Sequence, residues 1–259
     1  MAAERVVADL TKVRERAPLV HCMTNVVVTG FTANVLLAVG ASPAMVEAVE
    51  EAGEFAGVAD ALLINVGTIT TPMAEAMRAA VASARDRGTP WVLDPVAVGA
   101  ISFRTKVATE LLSAGPAIVR GNASEILSLA GADSAGGKGV DSLAASTDAI
   151  DAARALADAH GCVVAVSGEV DYLTDGAEML AVPGGDPLMT RVTGVGCALG
   201  ALMAAFAVVD SPLQAAAAAS TVLAAAAERA TKNAAGPCSF AVGLLDELYR
   251  LDAAALADR

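Results

Sequence analysis

Val192-Thr193-Gly194-Val195-Gly196-Cys197-Ala198-Leu199-Gly200 runs a glycine-rich turn straight into an alanine-rich helical stretch, with a thiol at the junction. Unpaired amides and the positive end of the helix dipole at such a start favour an anion, phosphate above all. Gly194 and Gly196 let a ligand approach the backbone with no Cβ in the way. A cysteine placed there is expected to be more acidic than a free thiol. The segment therefore offers an anion cradle and a candidate base. The packing alternative is a tight turn with Cys197 as a small buried filler.

Other residues invite the same double reading. Asn122 and Glu125, three apart, share one face at a helix start. A capping box explains the pair, and so does a Glu125 that meets a magnesium ion or its water shell. Asp94 before Pro95 is either a turn initiator or a carboxylate on the rim of a site. Arg120 follows an apolar strand, where its guanidinium pairs with a phosphate or with a neighbouring carboxylate. Ser167-Gly168 either offers a hydroxyl and an amide to a phosphate or ends its strand. His21, Cys22 and Met23 read as packing or pocket wall, and His21 with His160 is too little for a histidine-built metal site. Met45, beyond a Ser42-Pro43 turn, lines an apolar pocket or fills a gap.

These side chains need a frame. Short β-branched runs alternate with longer helical patterns, which predicts an α/β fold with a mostly parallel central sheet. The expected elements begin with an amphipathic helix over 3–16, a strand over 18–23, and a helix capped by Asn25 and running to about Val39. Buried strands follow at 61–66, 91–95 and 117–120, with helices from about Pro72 and near Asn122. A surface loop rich in Gly, Ser and Asp is expected at 132–142, then a helix at 146–160 and a strand at 163–166. Two antiparallel strands are expected around Asp175-Gly176, and helix from Cys197 onward. No repeat or boundary interrupts residues 1–259, so one domain is expected. In open parallel sheets ligands gather beyond the C-terminal strand ends. Asn65, Asp94, Arg120, Asn122, Glu125 and Ser167 all fall there.

Composition narrows the partners. With 29 Asp+Glu against 17 Lys+Arg the net charge is -12, which argues against a nucleic-acid or anionic-membrane surface. Cys22, Cys162, Cys197 and Cys238 form no paired metal or disulfide framework. The apolar run from Ala198 to Val209 is too short for a membrane span, and no signal peptide is evident, so a reduced, cytoplasmic protein is expected. Aromatics are only 3% of the chain, leaving alanine-rich helix faces that hint at burial between subunits.

Several segments together resemble the hydroxyethylthiazole kinase family. They are Pro18-Leu19-Val20-His21-Cys22-Met23-Thr24-Asn25, Gly40-Ala41-Ser42-Pro43-Ala44-Met45 and Leu63-Ile64-Asn65-Val66-Gly67-Thr68. Val92 to Gly99, Arg120 to Ile126 and Thr193 to Leu199 complete the set, and the resemblance spans roughly residues 18–245 in order. It implies a ribokinase-like, three-layer αβα sandwich and ATP-dependent, Mg²⁺-assisted phosphorylation of 4-methyl-5-(2-hydroxyethyl)thiazole in thiamine synthesis or salvage. It also implies a homotrimer with active sites between subunits. Carried over by position, Met45 and Gly194 meet the thiazole. Arg120, Ser167, Asn122 and Gly196 bind ATP, Asp94 and Glu125 lie near phosphates and magnesium, and Cys197 stands where sugar-type relatives carry an aspartate base. Val195 and Ser167 replace residues that are often Thr, and Cys238 one that is often Gly. A hydroxymethylpyrimidine kinase or nicotinamide-hydrate dehydratase on the same scaffold is the enzymatic alternative. A nucleotide- or thiazole-binding sensor without turnover is the other.

Overall fold

The computed structural model describes residues 3–133 and 146–257. Chain order begins with α1 (Ala3–Arg16), β1 (Leu19–Met23), α2 (Thr29–Ala38), β2 (Ser42–Ala44), α3 (Ala52–Ala56), β3 (Ala61–Asn65) and α4 (Thr71–Arg87). It continues through β4 (Trp91–Asp94), α5 (Ser102–Leu112), β5 (Ile118–Asn122), α6 (Ala123–Asp133), α7 (Ser146–His160) and β6 (Val163–Ser167). Last come β7 (Val170–Thr174), β8 (Met179–Pro183), a 3-10 turn over Pro187–Arg191, α8 (Val195–Phe206), α9 (Pro212–Thr231), α10 (Pro237–Arg250) and α11 (Ala253–Ala257).

The strands form one sheet in the order β2-β1-β3-β4-β5-β6-β7-β8. Pairs from β2 to β6 are parallel, and β7 runs antiparallel to both its neighbours, β6 and β8. Strand residues alternate between two cores, as the period of two requires. Ala61, Leu63, Val92 and Ile118 pack with α1, α2, α8, α9 and α10, whereas Leu62, Ile64, Leu93 and Val119 pack with α4, α5, α6 and α7. This is the expected three-layer αβα arrangement. The scarcity of aromatics is met in α9, whose alanines at 215–219 and 224–227 are all buried and allow close approach to the sheet.

Several expectations need correction. Asn25 does not cap α2: that helix starts at Thr29, its N-cap is Val28, and no side chain caps it. Val26 and Val27, which follow it, are exposed, whereas Asn25 itself is buried with its side chain turned inward. Ser42-Pro43 is not a turn but the start of the short edge strand β2. The last helical third begins at Val195 rather than Cys197. The loop expected at 132–142 lies outside the described residues from 134 on, and 132–133 belong to α6. The proline expected in the first turn of α4 is there, behind the cap Thr70, whose side chain accepts from the Met73 amide.

Candidate functional site

Parallel pairing lines up the C-terminal strand ends, so that Asn65 of β3 stands beside Asp94 of β4, and Asn122 of β5 beside Ser167 of β6. Over this rim lies the start of α8. Gly194 is its N-cap at φ 100, a left-handed conformation natural to glycine, and no side chain caps the helix. A Cβ at residue 194 would stand 2.9 Å from Val28 Cγ1, so glycine is also required by contact. The uncapped first turn, Val195 to Cys197, keeps its amides for another acceptor.

Cys197 is half-buried there. Asn25 Nδ2 donates to its Sγ at 3.4 Å and to Asn65 Oδ1 at 3.2 Å. Asn65 Nδ2 in turn donates to Asp94 Oδ2 at 2.7 Å, while its Oδ1 also accepts from the Gly67 amide at 3.0 Å. A Cβ on Gly67 would fall 2.9 Å from both Asn25 Cβ and Asn65 Oδ1, which explains a glycine at that point. The thiol and the carboxylate are thus joined through two asparagine amides. Burial, reinforced by the charge of Asp94, raises the Cys197 thiol. The expectation of a thiol acidified by its helix end does not hold, because desolvation outweighs the donors around the sulfur.

Asp94 is fully buried, and its Oδ1 has no hydrogen-bond partner within the protein. Burial drives its carboxyl up to about 7; Arg120 pulls it down, Glu125 pushes it further up and the Asn65 hydrogen bond pulls it down. Arg120 Nη1 stands 3.8 Å from Asp94 Oδ2, and Nε donates to Ser167 Oγ at 3.0 Å. The guanidinium serves both readings of Arg120, since it lies at the rim and beside a carboxylate.

Asn122 and Glu125 do form the capping box: Glu125 N donates to Asn122 Oδ1 and Asn122 N to Glu125 Oε2, both at 2.9 Å. Glu125 Oε1 also accepts from the amide of Ala97 at 3.0 Å, a non-glycine residue at φ 58 in the loop after β4. The glutamate therefore ties that loop to α6. Among the described residues no group of three or more His, Cys, Asp and Glu is placed to hold a metal. Met45, half-buried just past β2, belongs to the core on the α8 side of the sheet. His21 is fully buried, its Nε2 2.6 Å from the Val46 carbonyl oxygen and its ring at a steep angle to that of Phe55.

Cys197, Asp94, Arg120, Ser167, Asn122, Glu125, Gly194 and Gly196 thus gather around one helix start and four strand ends. Asn25 is the member that sequence reasoning missed, because an Asn before a helical run reads first as a cap. Asn65 carried a signal, a polar residue closing an otherwise apolar strand. A surface concavity of about 780 Å³ lined by Gly99, Lys106, Thr109 and others lies along α5 and shares no residue with the site. No helix among the described residues is long and apolar enough to cross a membrane.

Comparison with known proteins agrees with this geometry. The sequence profile of the hydroxyethylthiazole kinase family matches residues 10–254. The chain is 57% identical over 250 residues to a hydroxyethylthiazole kinase of Leptospira borgpetersenii serovar Hardjo-bovis (strain JB197), covering 96% of this chain and 94% of the relative. It is 53% identical over 261 residues to that of Tolumonas auensis, covering 100% and 97%. The solved structure of a hydroxyethylthiazole kinase protein from Pyrococcus horikoshii OT3 superposes with a TM-score of 0.90 at 42% identity, covering 96% and 94%. A ribokinase-like superfamily protein of Enterococcus faecalis V583, at 11% identity and a TM-score of 0.66 over 96% of this chain and 95% of its own, shares the fold alone. With a profile spanning nearly the whole chain and relatives above half identity, this chain belongs to the hydroxyethylthiazole kinase family.

Proposed function

We infer that this chain transfers the γ-phosphoryl group of ATP to the primary alcohol of 4-methyl-5-(2-hydroxyethyl)thiazole, in thiamine synthesis or salvage, as a single catalytic domain. The observation that carries the reading is the uncapped start of α8, with the Cys197 thiol in its first turn and the Arg120 guanidinium against Gly196. Such a turn supplies amides to the transferring phosphoryl group. Arg120, Ser167, Asn122 and Gly196 are the residues proposed to bind ATP, and Met45 and Gly194 to meet the thiazole.

The residues present fit a magnesium ion. Asp94 Oδ1 is a buried carboxylate oxygen with no partner of its own, and Mg²⁺ keeps waters while taking only one or two carboxylates. Asp94 and Glu125 would hold it, Glu125 with lone pairs left after its two backbone amides. Bound there, the ion would neutralise charge on the phosphates.

In the proposed transfer the alcohol oxygen forms a bond to the γ-phosphorus in line as the bond to ADP breaks. Such transition states are loose, so positioning and charge stabilisation carry most of the rate. Cys197 is the proposed acceptor of the alcohol proton. Its raised thiol leaves thiolate the minor form at neutral pH, which keeps this contribution modest. A homotrimer with sites between subunits is also proposed. Val26 and Val27, each 65% exposed, adjoin Asn25 and give the site an apolar border that a second copy would cover.

The test is phosphotransfer from ATP across a panel of thiazole and pyrimidine alcohols, read by ADP release and product mass. Turnover of the thiazole alcohol is expected. Turnover of the pyrimidine alcohol alone, or nucleotide binding without ADP release, would overturn the reading in favour of the alternatives.

A further inference from the structure

We propose that His21 is a positioning residue for the thiazole site, fixing the segment that carries Met45 by bonding the residue just beyond it. This rests on the reading above that Met45 meets the thiazole. On one side, the parallel pairing of β1 with β2 sets His21 opposite Ala44. On the other, the His21 imidazole stands 2.6 Å from the carbonyl oxygen of Val46. Met45 therefore lies between the last residue of the β2 ladder and a residue held by the His21 ring.

The chemistry of the ring supports a dedicated role. A carbonyl oxygen only accepts, so Nε2 carries the hydrogen and donates it. Nδ1 is then a bare lone pair, fully buried and without a partner. Leaving a buried nitrogen unpaired is costly, and an apolar side chain would fill the same space without that cost. What histidine adds here is the bond to Val46. The ring also packs against Phe55 in α3 in a T-shaped arrangement, with centroids 5.1 Å apart and planes at 76°.

The segment depends on that bond. The β2 ladder ends at Ala44, and the next turn starts where Ala48 O accepts from Glu51 N and Ala52 N. Outside the ladder, and among the described residues, the hydrogen bond to His21 is the one that holds residues 45–47. Glu47, Glu50 and Glu51 are exposed just beyond it.

The experiment compares wild type with Met45→Ala, His21→Phe and His21→Gln, whose amide nitrogen can replace Nε2. Steady-state kinetics are read together with digestion by a glutamate-specific protease, following cuts at residues 47–51. For His21→Phe the KM for the thiazole alcohol should rise about fivefold to tenfold, the effect of losing one such hydrogen bond. Its kcat and its KM for ATP should stay within about twofold. Cutting at 47–51 should accelerate, and His21→Gln should restore both readouts. Wild-type KM and wild-type cutting in His21→Phe would overturn the proposal, as would a His21→Gln variant as impaired as the phenylalanine. Should Met45→Ala leave the thiazole KM unchanged while His21→Phe still speeds cutting, the substrate contact falls and the positioning role with it. If His21→Phe does not fold, ¹⁵N NMR of the wild-type imidazoles decides, with only His160 besides His21 to assign. The Nε2–H tautomer is expected, and an Nδ1–H tautomer would overturn the proposal.

Discussion

The Arg120 guanidinium rests on the backbone of Gly196, so close that a Cβ at residue 196 would stand 2.9 Å from Nη2 and 3.0 Å from Nη1. The same guanidinium reaches Ser167 through Nε. One side chain from β5 thus links the end of β6 to the first turn of α8, and the glycine exists to admit it.

Gly196→Ala tests that link. Residue 196 has no left-handed φ, and the atoms it would meet are the far end of a flexible side chain, so stability should change by less than about 1 kcal/mol. Arg120 would be displaced from Ser167, and the KM for ATP should rise about tenfold with the KM for the thiazole little changed. Thermal melting beside steady-state kinetics separates the two effects.

For Cys197→Ala a fall in kcat of about a hundredfold is expected, the low end of what a general base supplies. The small side chain keeps the helix, so the melting temperature should hold. An unchanged kcat would remove the thiol from proton transfer and leave the amide cradle alone.

Glu125→Gln should weaken the response to magnesium, read as a higher Mg²⁺ concentration for half-maximal rate. It should also loosen the loop at Ala97, because an amide has one acceptor oxygen where the carboxylate serves both Ala97 N and Asn122 N. An identical Mg²⁺ titration would contradict the metal role, and the stability loss would then report the loop tie alone.

Asp210 and Arg5 make a paired contact at 2.8 Å through both carboxylate oxygens, and the arginine holds the Asp210 carboxyl down to about 2 from its ordinary 3.8. A depressed carboxyl contributes stability that is present above pH 3.8 and lost as pH falls towards 2. Asp210→Asn should therefore melt lower than wild type by about 2 °C at neutral pH, and the gap should close across that acid window. Asp9, raised by burial, runs the opposite way and loses its contribution as pH rises. Melting curves between pH 2 and pH 7 check the sign.

Much of this was legible because it rests on local pattern. Ala61-Leu62-Leu63-Ile64 is apolar at every position, which fits a strand covered on both faces. The Asn122/Glu125 spacing announced its capping box, and Asp94 closed an apolar run where a parallel sheet gathers ligands. What stayed hidden depends on partners far along the chain. Asn25 reaches Cys197 across 172 positions, and nothing in its neighbours says that its amide turns inward. The thiol's affinity for its proton was misjudged for the same reason: a helix start is visible in sequence, whereas burial beside Asp94 is not. Short edge elements also escaped, since a three-residue strand such as β2 has no periodicity to read.

The order of the sheet leaves β2 and β8 at its two margins, and these are the strands that contain proline, Pro43 and Pro183. Proline has no amide hydrogen to donate, so each margin presents an interrupted row to any strand that would add to it. The parallel strands that assemble the site stay interior, out of reach of such pairing. A chain this rich in alanine and valine is thereby hindered from growing its sheet into a neighbour's.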